Sequence, residues 1–275
     1  MPSPSHPSEA SSDNAYIVGA SGLYTALILL DLGIPFKIIE ARDRVGGRLF
    51  THTFESDIGK PYNYYDVGAM RFPEHISMRR LFHLFQYPPL NEGDLQLHAK
   101  LRPYHFSDKN GNDLRSYNGE TLKVSDVKLS SFQPQAVMRD VDPTPYIAAG
   151  FGSLIGDVVE PFARRLYDDL KYGTHIGWDY LMSFDHCSAR AYMSILYRPS
   201  AKLQKDFNVP NKPLSVDVIN WVETFDNSTG AYDRALSETV LDTVAFGWTP
   251  STGPLEPEPT EWHCIECVII LAFMH

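Results

Sequence analysis

The chain has 275 residues, of which 43% are hydrophobic and 21% charged, a composition typical of a globular protein with one large or two ordinary domains. Its formal net charge is −10 at pH 7, and the sequence has no basic run or basic helix, which argues against a nucleic-acid or anionic-membrane partner. Three cysteines are too few for a disulfide scaffold and favour a reducing compartment, the cytoplasm or a peroxisome.

Residues 16–51 have the pattern of a strand, a glycine turn, a helix and a second strand. The apolar run at 16–18 stops at Gly19, and an uninterrupted helical pattern starts at Leu23. The sequence therefore predicts a βαβ unit. The residues expected on the buried face of its helix share the spacing of three and four and are Leu23, Ala26, Leu27 and Leu30.

The second strand of this unit, predicted at 36–39, is followed by Glu40, which comes about 20 residues after Gly19. In a dinucleotide fold a carboxylate at this spacing accepts hydrogen bonds from ribose hydroxyls. Residues 44–48 then read Arg-Val-Gly-Gly-Arg. The glycine doublet lets the backbone approach a ligand, and the two guanidiniums can donate to phosphate oxygens. Together these features predict a dinucleotide site.

This arrangement resembles the amino-terminal FAD motif of the flavin amine oxidase family. Residues 66–73, Asp-Val-Gly-Ala-Met-Arg-Phe-Pro, are similar to the fungal L-amino-acid oxidase-like members of that family. The resemblance implies an α/β fold, with an incomplete FAD-binding βαβ domain and a helical domain that shapes substrate access. It implies FAD contacts from Gly19, Gly22, Glu40, Ala41, Gly46, Gly47, Arg48, Gly68, Ala69, Met70 and Arg71.

The same resemblance gives Arg71 the substrate carboxylate as its ligand. An ion pair with Glu74 is the alternative role for this side chain, and the spacing of the two residues leaves both open. Proline at position 73 keeps the segment from continuing as a helix. No catalytic residue and no metal ligand is assigned.

The glycine turn departs from the family pattern G-x-G-x-x-G. The chain reads Gly19-Ala20-Ser21-Gly22, so the turn lacks the middle glycine and is two residues short. The shorter turn predicts a helix end drawn toward the strand, with less room for a pyrophosphate. Taken without Glu40 and the glycine doublet, Gly19 and Gly22 would indicate an ordinary strand-to-helix turn.

Four regions are expected along the chain. Residues 1–14, rich in proline and serine, predict a disordered lead-in without a secretory or transit signal. Residues 15–90 hold the amino-terminal part of the FAD-binding domain and the start of a substrate domain. A mainly helical insertion follows at 91–249, and 250–275 form a linker and an aberrant carboxyl-terminal end. No segment is long enough to span a membrane.

Within these regions, strands are predicted at 49–54 and 62–67, and a hairpin about Asn110-Gly111 is predicted within 106–117. The glycine-rich segment 150–156 is interpreted as a loop that enters a helix, not as a second nucleotide loop. His175, Asp185 and His186 could form a general-base cluster, but a polar helix entrance explains the run 185–188 equally well, so no catalytic role is assigned to them. Helices are predicted at 78–85, 157–171, 188–197, 215–224 and 231–246.

Residues 261–266 resemble the start of the family motif W-x-x-I-x-G-G, but the glycines do not follow and the chain ends in an apolar run. A truncated or misjoined gene product is the simplest interpretation of this end. Cys264 and Cys267 have the spacing of a redox or zinc pair, but no second such pair accompanies them.

Two hypotheses follow from the resemblance. The first is FAD-dependent oxidative deamination of an L-amino acid, in which hydride transfer to the flavin leaves an imine, and the products are a 2-oxo acid, ammonia and hydrogen peroxide. The second is a truncated non-catalytic remnant or interaction protein. The first is favoured for the gene family and the second for this polypeptide alone. A polyamine or monoamine oxidase is disfavoured, because its substrate offers Arg71 no carboxylate.

Overall fold

The computed structural model describes residues 15–17, 19–44, 47–54, 63–68, 70–93, 96–128, 130–226, 229–246, 248, 250 and 262–265. The chain divides into two compact units. The amino-terminal unit comprises residues 1–72, 83–102 and 263–275, and the helical unit comprises 73–82 and 103–262. The predicted lead-in at 1–14 and the end of the chain after 265 lie outside the described residues. The predicted domain boundaries at 90 and 249 stay predictions.

The secondary structure alternates at first and then becomes mainly helical. The strands are β1 Ala15–Ile17, β2 Phe36–Ile38, β3 Phe50–Thr53, β4 Tyr64–Val67, β5 Phe72–Pro73, β6 Leu101–Pro103, β7 Leu114–Tyr117, β8 Glu120–Lys123 and β9 Trp262–Ile265. The α-helices are α1 Gly19–Asp31, α2 Arg79–Phe85, α3 Pro134–Val137, α4 Thr144–Ala149, α5 Phe151–Tyr172, α6 Ile176–Met182, α7 Ala189–Ala191, α8 Ala201–Phe207, α9 Val216–Asp226 and α10 Leu236–Ala245. Short 3-10 helices lie at Ile76–Met78, Pro88–Leu90, His98–Lys100, Val124–Asp126 and Ala231–Asp233, and a π-helix lies at Tyr192–Leu196.

The predicted βαβ unit is present in the amino-terminal unit. Strands β1 and β2 pair in parallel, with Ala15 opposite Phe36 and Ile17 opposite Ile38. Helix α1 connects them and packs on both. It ends in a turn in which Gly33 has a φ of +66°, a left-handed conformation that glycine adopts without steric cost.

The buried face of α1 is narrower than predicted. Leu23 and Ala26 are buried, but the prediction for Leu30 is wrong, because its side chain is 67% exposed. Strands β1 and β2 are only three residues long each, so the sheet offers little surface to the last turn of the helix. The first half of α1 therefore makes the packing contacts of this helix.

The strands predicted at 49–54 and 62–67 are confirmed as β3 and β4. They pair antiparallel, with Phe50 opposite Val67 and Thr53 opposite Tyr64. A separate three-stranded sheet has the order β5-β9-β6.

The helical unit is organised around α5, a helix of 22 residues. Helices α4, α6, α8, α9 and α10 all contact it. Leu154, Val158 and Phe162 recur at the spacing of one helical face and are 0 to 1% exposed, so this face lies in the core. No helix in the described part of the chain is both long and apolar enough to cross a membrane.

The hairpin of the helical unit lies elsewhere than predicted. Strands β7 and β8 pair antiparallel around Asn118-Gly119, with φ values of +51° and +78°, the conformation of a tight two-residue hairpin turn. The prediction of a hairpin about Asn110-Gly111 is wrong. There the Asp108 carboxylate accepts the N–H groups of Asn110 and Asn112, at 3.1 and 3.2 Å, and forms a local turn without flanking strands.

The predicted helices are confirmed with shifted ends. The helix expected at 157–171 begins at Phe151, directly after Gly150, which has a φ of +77°. The pattern at 231–246 is divided into a 3-10 helix and α10. The division occurs because Ala189 N donates to Arg234 O at 3.1 Å and Leu236 N donates to Cys187 O at 3.0 Å, which holds the chain extended before α10.

Candidate cofactor site

The register of the parallel sheet brings two predicted cofactor residues to one edge. Ile17 and Ile38 are partners at the carboxyl ends of β1 and β2. Gly19 opens α1 just beyond the first strand, and Glu40 follows just beyond the second. Ligands of open α/β sheets bind outside the carboxyl ends of the strands, so this edge is the candidate nucleotide site.

The glycine turn itself differs from the prediction. The helix was expected to begin at Leu23, but α1 begins at Gly19, and only Val18 separates it from β1. Residues 19–22 therefore form the first turn of the helix, with Gly22 buried, and do not form a loop. The helix end therefore lies close to the strand, as the short turn predicts. The free N–H groups of a first helical turn are donors that suit an anion.

One hydrogen-bond acceptor position of the Glu40 carboxylate is already in use. Its Oε1 accepts the backbone N–H of Arg42 at 3.1 Å, which fixes the carboxylate beside the end of β2. An ionised carboxylate has about four lone-pair positions, so this bond leaves acceptor positions for two ribose hydroxyls. The next residue, Ala41, is exposed.

The segment around the glycine doublet is shaped by Arg44. Its Nη2 donates to the Gly47 carbonyl oxygen at 2.9 Å, and its guanidinium lies 4.3 Å from the centre of the Phe50 ring. Gly47 has a φ of +59°. Arg44 therefore holds the backbone of the segment, while the side chain of Arg48 is exposed. Gly46 lies outside the described residues.

Gly68 and Arg48 meet because β3 pairs with β4. Gly68 has a φ of +123°, and a Cβ added there would lie 2.4 Å from the Arg48 carbonyl oxygen. Only glycine fits this approach. Beyond Gly68, Met70 is 38% exposed and Arg71 is half-buried, while Ala69 lies outside the described residues.

The donors and acceptors at these positions fit the polar parts of FAD. Glu40 has free acceptor positions of the kind that ribose hydroxyls bind, and Arg48 and the first turn of α1 carry donors of the kind that phosphates bind. The connection between β1 and α1 is one residue long, which is shorter than the glycine loop of the family pattern. The described residues thus fit the ribose and phosphates, with the phosphate position constrained.

Two features of the amino-terminal unit escaped the sequence reasoning. Thr51 Oγ1 donates to Asp66 Oδ1 across β3 and β4, between residues that are direct partners. His52, Phe54 and Tyr65 form an aromatic group on the same strands, with ring centres 5.2 to 5.6 Å apart. The alternation of 52 and 54 is the signal that could have placed these two on one face.

A third feature that the sequence did not predict is His75, in the helical unit. It precedes the 3-10 helix Ile76–Met78, and its Nδ1 accepts the N–H of Ser77 at 3.3 Å. Its side chain is 8% exposed. Burial lowers the pKa of His75, an effect that the backbone of Trp248 partly offsets. The imidazole is therefore neutral at pH 7.

The interpretation of 185–188 as a helix entrance is confirmed. The Ser188 hydroxyl accepts the N–H of Ala191 at 3.1 Å and caps α7. Asp185 accepts a hydrogen bond from the Ser237 hydroxyl, which ties the entrance to α10.

Comparison with known proteins defines the family. The sequence profile described as "Flavin containing amine oxidoreductase" matches residues 20–154. The "Cytotoxic L-amino-acid oxidase" of Amanita phalloides is 50% identical over 148 residues, which cover 54% of this chain and 99% of that protein. The chain belongs to the flavin-containing amine oxidoreductase family. It is an L-amino-acid oxidase-like member, and FAD is the cofactor of the family.

A second relative covers more of the chain. "L-amino-acid oxidase 4" of Hebeloma cylindrosporum is 42% identical over 258 residues, which cover 90% of this chain and 37% of that protein. The chain thus spans a little more than a third of the length of this relative. A putrescine oxidase structure with bound putrescine has a TM-score of 0.49 at 16% identity, over 95% of this chain and 47% of that one.

The family confirms the predicted fold class, α/β with a βαβ unit for FAD. The described residues contain two parallel strands of the FAD-binding domain and a separate helical unit. Sequence and structure therefore agree on the kind of protein.

Proposed function

We propose that the chain serves the FAD-dependent oxidative deamination of L-amino acids, with an L-amino acid and oxygen as substrates. One observation carries the proposal. Glu40 and the first turn of α1 share the carboxyl edge of the parallel sheet, in a chain that is 42 to 50% identical to two fungal L-amino-acid oxidases. Bound FAD would supply the acceptor for a hydride from the amino-acid Cα and the route for its electrons to oxygen, which gives hydrogen peroxide.

The residues of the chain bind and orient in this scheme. Glu40 accepts hydrogen bonds from ribose hydroxyls, and the N–H groups of the first turn of α1 face the phosphates. Arg48 adds positive charge at the phosphate side. The glycine doublet lets its backbone N–H groups approach the phosphates. Gly68 keeps the backbone close to the Arg48 carbonyl oxygen, an approach that any side chain at this position would block.

Arg71 is the proposed holder of the substrate carboxylate. Its guanidinium can make two parallel hydrogen bonds to a carboxylate, a geometry that lysine cannot reproduce. Its half-buried position strengthens such a pair relative to an exposed one. The imine left by hydride transfer hydrolyses to a 2-oxo acid and ammonia, so the carboxylate remains on the product.

Retention of flavin tests the cofactor site. The chain is incubated with excess FAD and desalted, and its visible spectrum is recorded beside that of Glu40→Gln. We expect flavin absorbance with the unchanged chain and about a tenfold weaker affinity in the variant, because a charged acceptor of ribose hydroxyls is lost. A folded but colourless protein would contradict the proposal.

The second candidate function is that of a non-catalytic remnant or interaction protein. The observation that favours it is the start of α1 one residue after β1, which reduces the room for a pyrophosphate. This candidate predicts a colourless chain with ordinary far-ultraviolet circular dichroism and no peroxide from any L-amino acid. The flavin spectrum therefore separates the two candidates.

The role of Arg71 is tested on the flavin-loaded chain. In the assay of peroxide from L-amino acids, Arg71→Lys is expected to raise KM about tenfold or more, because bidentate binding is lost. Glu74→Gln is the control. If Arg71 served only as the partner of Glu74, the two variants would change stability equally and leave KM alone.

We also propose that the protein is located in the cytoplasm or a peroxisome and has no nucleic-acid partner. The three cysteines support a reducing compartment. The lack of a basic run in the sequence argues against nucleic-acid binding. Localisation of the tagged chain to a secreted fraction would contradict this placement.

A further inference from the structure

The helical unit contains a cavity that the proposed oxidase chemistry does not use. Its volume is about 350 Å³, which is at the lower end of the range for small-molecule sites. The hairpin β7–β8, the segment after it, the start of α5 and one face of α9 line it. A molecule of one or two rings fits such a volume.

Aromatic side chains form one wall of this cavity. Phe225 on α9 stacks on Phe151, with ring centres 5.4 Å apart and an angle of 26° between the planes. Phe132 and Trp221 lie 6.0 Å from Phe225 and are 3% and 5% exposed. Buried rings in offset and edge contact present a rigid apolar surface on which another aromatic ring can pack.

Two cations belong to the lining of the same cavity. Arg115 on β7 and Lys128 both line it, and both are exposed. Within the described part of the chain neither side chain makes a hydrogen bond or an ion pair, although the chain as a whole is acidic. Two unpaired positive charges beside an aromatic wall complement an anion that carries a ring.

The backbone that carries Phe132 is strained. Phe132 and Gln133 have φ values of +64° and +53°, a conformation that is costly for residues with side chains. Both backbone groups of Phe132 are held from the hairpin, since its N–H donates to Glu120 Oε2 at 2.7 Å and its carbonyl accepts from Asn118 Nδ2 at 2.8 Å. The hairpin therefore fixes the ring of Phe132 in the cavity wall.

We propose that this cavity binds a small aromatic carboxylate, with its ring against Phe132 and Phe225 and its carboxylate beside Arg115 and Lys128. The inference goes beyond the oxidase proposal and does not depend on FAD. Volume, aromatic wall and unpaired charge all indicate the same class of ligand. A neutral aromatic molecule would use only the wall, and a small anion without a ring would use only the cations.

The test is isothermal titration calorimetry of the full chain with indole-3-acetate. We expect saturable binding to one site. The neutral isostere indole-3-acetamide should bind about three- to tenfold more weakly, because it forms no charge pairs with exposed cations. Acetate, which has no ring, should show no measurable binding.

Two double variants separate charge at the cavity from net charge. Arg115→Gln with Lys128→Gln should weaken indole-3-acetate binding about three- to tenfold. Lys205→Gln with Lys212→Gln changes net charge equally at exposed positions elsewhere in the helical unit and should leave the affinity unchanged. Phe225→Leu keeps both charges and should also weaken binding. Circular dichroism spectra confirm that each variant is folded.

Three results would overturn the proposal. The first is the absence of saturable indole-3-acetate binding. The second is an equal effect of the two double variants, which would assign the attraction to net charge. The third is equal affinity for the acid and its amide, which would remove the cations from the site.

Discussion

The two units of the chain differ in what holds them together. In the helical unit, Leu154, Phe162 and Tyr232 are fully buried. In the amino-terminal unit, Leu30 and Leu32 are 67% and 63% exposed. The helical unit thus has a core of its own, while the βαβ unit leaves much of its apolar surface uncovered. Burial of apolar surface is the main source of folding free energy, so the difference predicts unequal stability.

The polar contacts of the two units also differ, in how far apart in sequence the bonded residues lie. In the amino-terminal unit, the Glu40 carboxylate accepts the backbone N–H of Arg42, and the Arg44 side chain donates to the Gly47 carbonyl oxygen. These hydrogen bonds of the motif link residues that are close in sequence. In the helical unit, Arg190 binds Glu223 and other residues on separate elements. Local bonds can shape a binding motif without anchoring it to a core. Such a motif gains stability when its ligand binds.

A matched pair of leucine-to-alanine substitutions should show the largest difference in stability between the two units. Leu154 is 0% exposed and Leu30 is 67% exposed. We expect Leu154→Ala to lower the free energy of unfolding by about 3 kcal/mol, because it leaves a cavity in the core. Leu30→Ala should change it by less than about 0.5 kcal/mol. Urea unfolding followed by circular dichroism measures the free energy of unfolding of both variants. Similar losses of stability in the two would contradict the difference between the units.

A matched pair of arginine substitutions tests the polar contacts. Arg190 donates to Glu223 at 2.7 Å and to Asp233 at 2.6 Å, and the Glu223 side chain is 5% exposed. Arg190→Gln should cost about 3 kcal/mol, because a buried carboxylate loses its cation.

Arg234→Gln is the control, since its ion pairs with Glu238 and Asp242 are 3.5 Å long and exposed. It should cost less than about 0.5 kcal/mol. Equal costs in urea unfolding would show that the network of Arg190 adds nothing beyond surface charge.

The close approach of Gly68 to Arg48 gives a smaller effect, within the amino-terminal unit. Gly68→Ala places a Cβ 2.4 Å from the Arg48 carbonyl oxygen, whereas a Cβ at Gly93, with a φ of +56°, meets nothing within 4 Å. We expect losses of about 2 kcal/mol for Gly68→Ala and about 1 kcal/mol for Gly93→Ala. Hydrogen exchange in β3 and β4 measures the first. An unchanged exchange rate there would contradict the contact.

The smallest expected effect is a pH dependence from His75. Burial lowers its pKa in the folded state, so below about pH 6.5 the unfolded chain takes up a proton that the folded chain resists. Stability should therefore fall as the pH is lowered from 7 to 5, with a slope of at most about 1.4 kcal/mol per pH unit.

His75→Asn keeps an acceptor for the Ser77 N–H and removes the titration, so this part of the slope should disappear. A slope that persists in His75→Asn would contradict the assignment.

The sequence predicted the βαβ unit because its signals are local. Gly19 and Glu40 have a fixed spacing, and the strand pair β3–β4 shows up as aromatic and β-branched runs. The exposure of Leu30 escaped prediction because helical periodicity reports a face and not the length of the sheet beneath it. The hairpin was misplaced because two Asn-Gly pairs carry the same signal, and Asp108 directs one of them into a local turn.

The interruption of the helix before α10 was not predicted from the sequence, for a different reason. Residues 231–246 keep helical periodicity, but the backbone pairing of Ser188 with Ala235 interrupts it. That pairing joins segments far apart in sequence. The cavity of the helical unit depends in the same way on Phe132 and Phe225, which no local pattern brings together.

Native-state hydrogen exchange with and without excess FAD measures the stability of the two units separately. We expect the helical unit to be stable by itself and the βαβ unit to be a cofactor motif that its ligand stabilises. Amides of α5 and α9 should be strongly protected in both conditions, while those of α1 and β2 should gain protection when FAD is added. Protection of α1 and β2 that equals that of α5 without FAD, or that does not respond to FAD, would contradict the account.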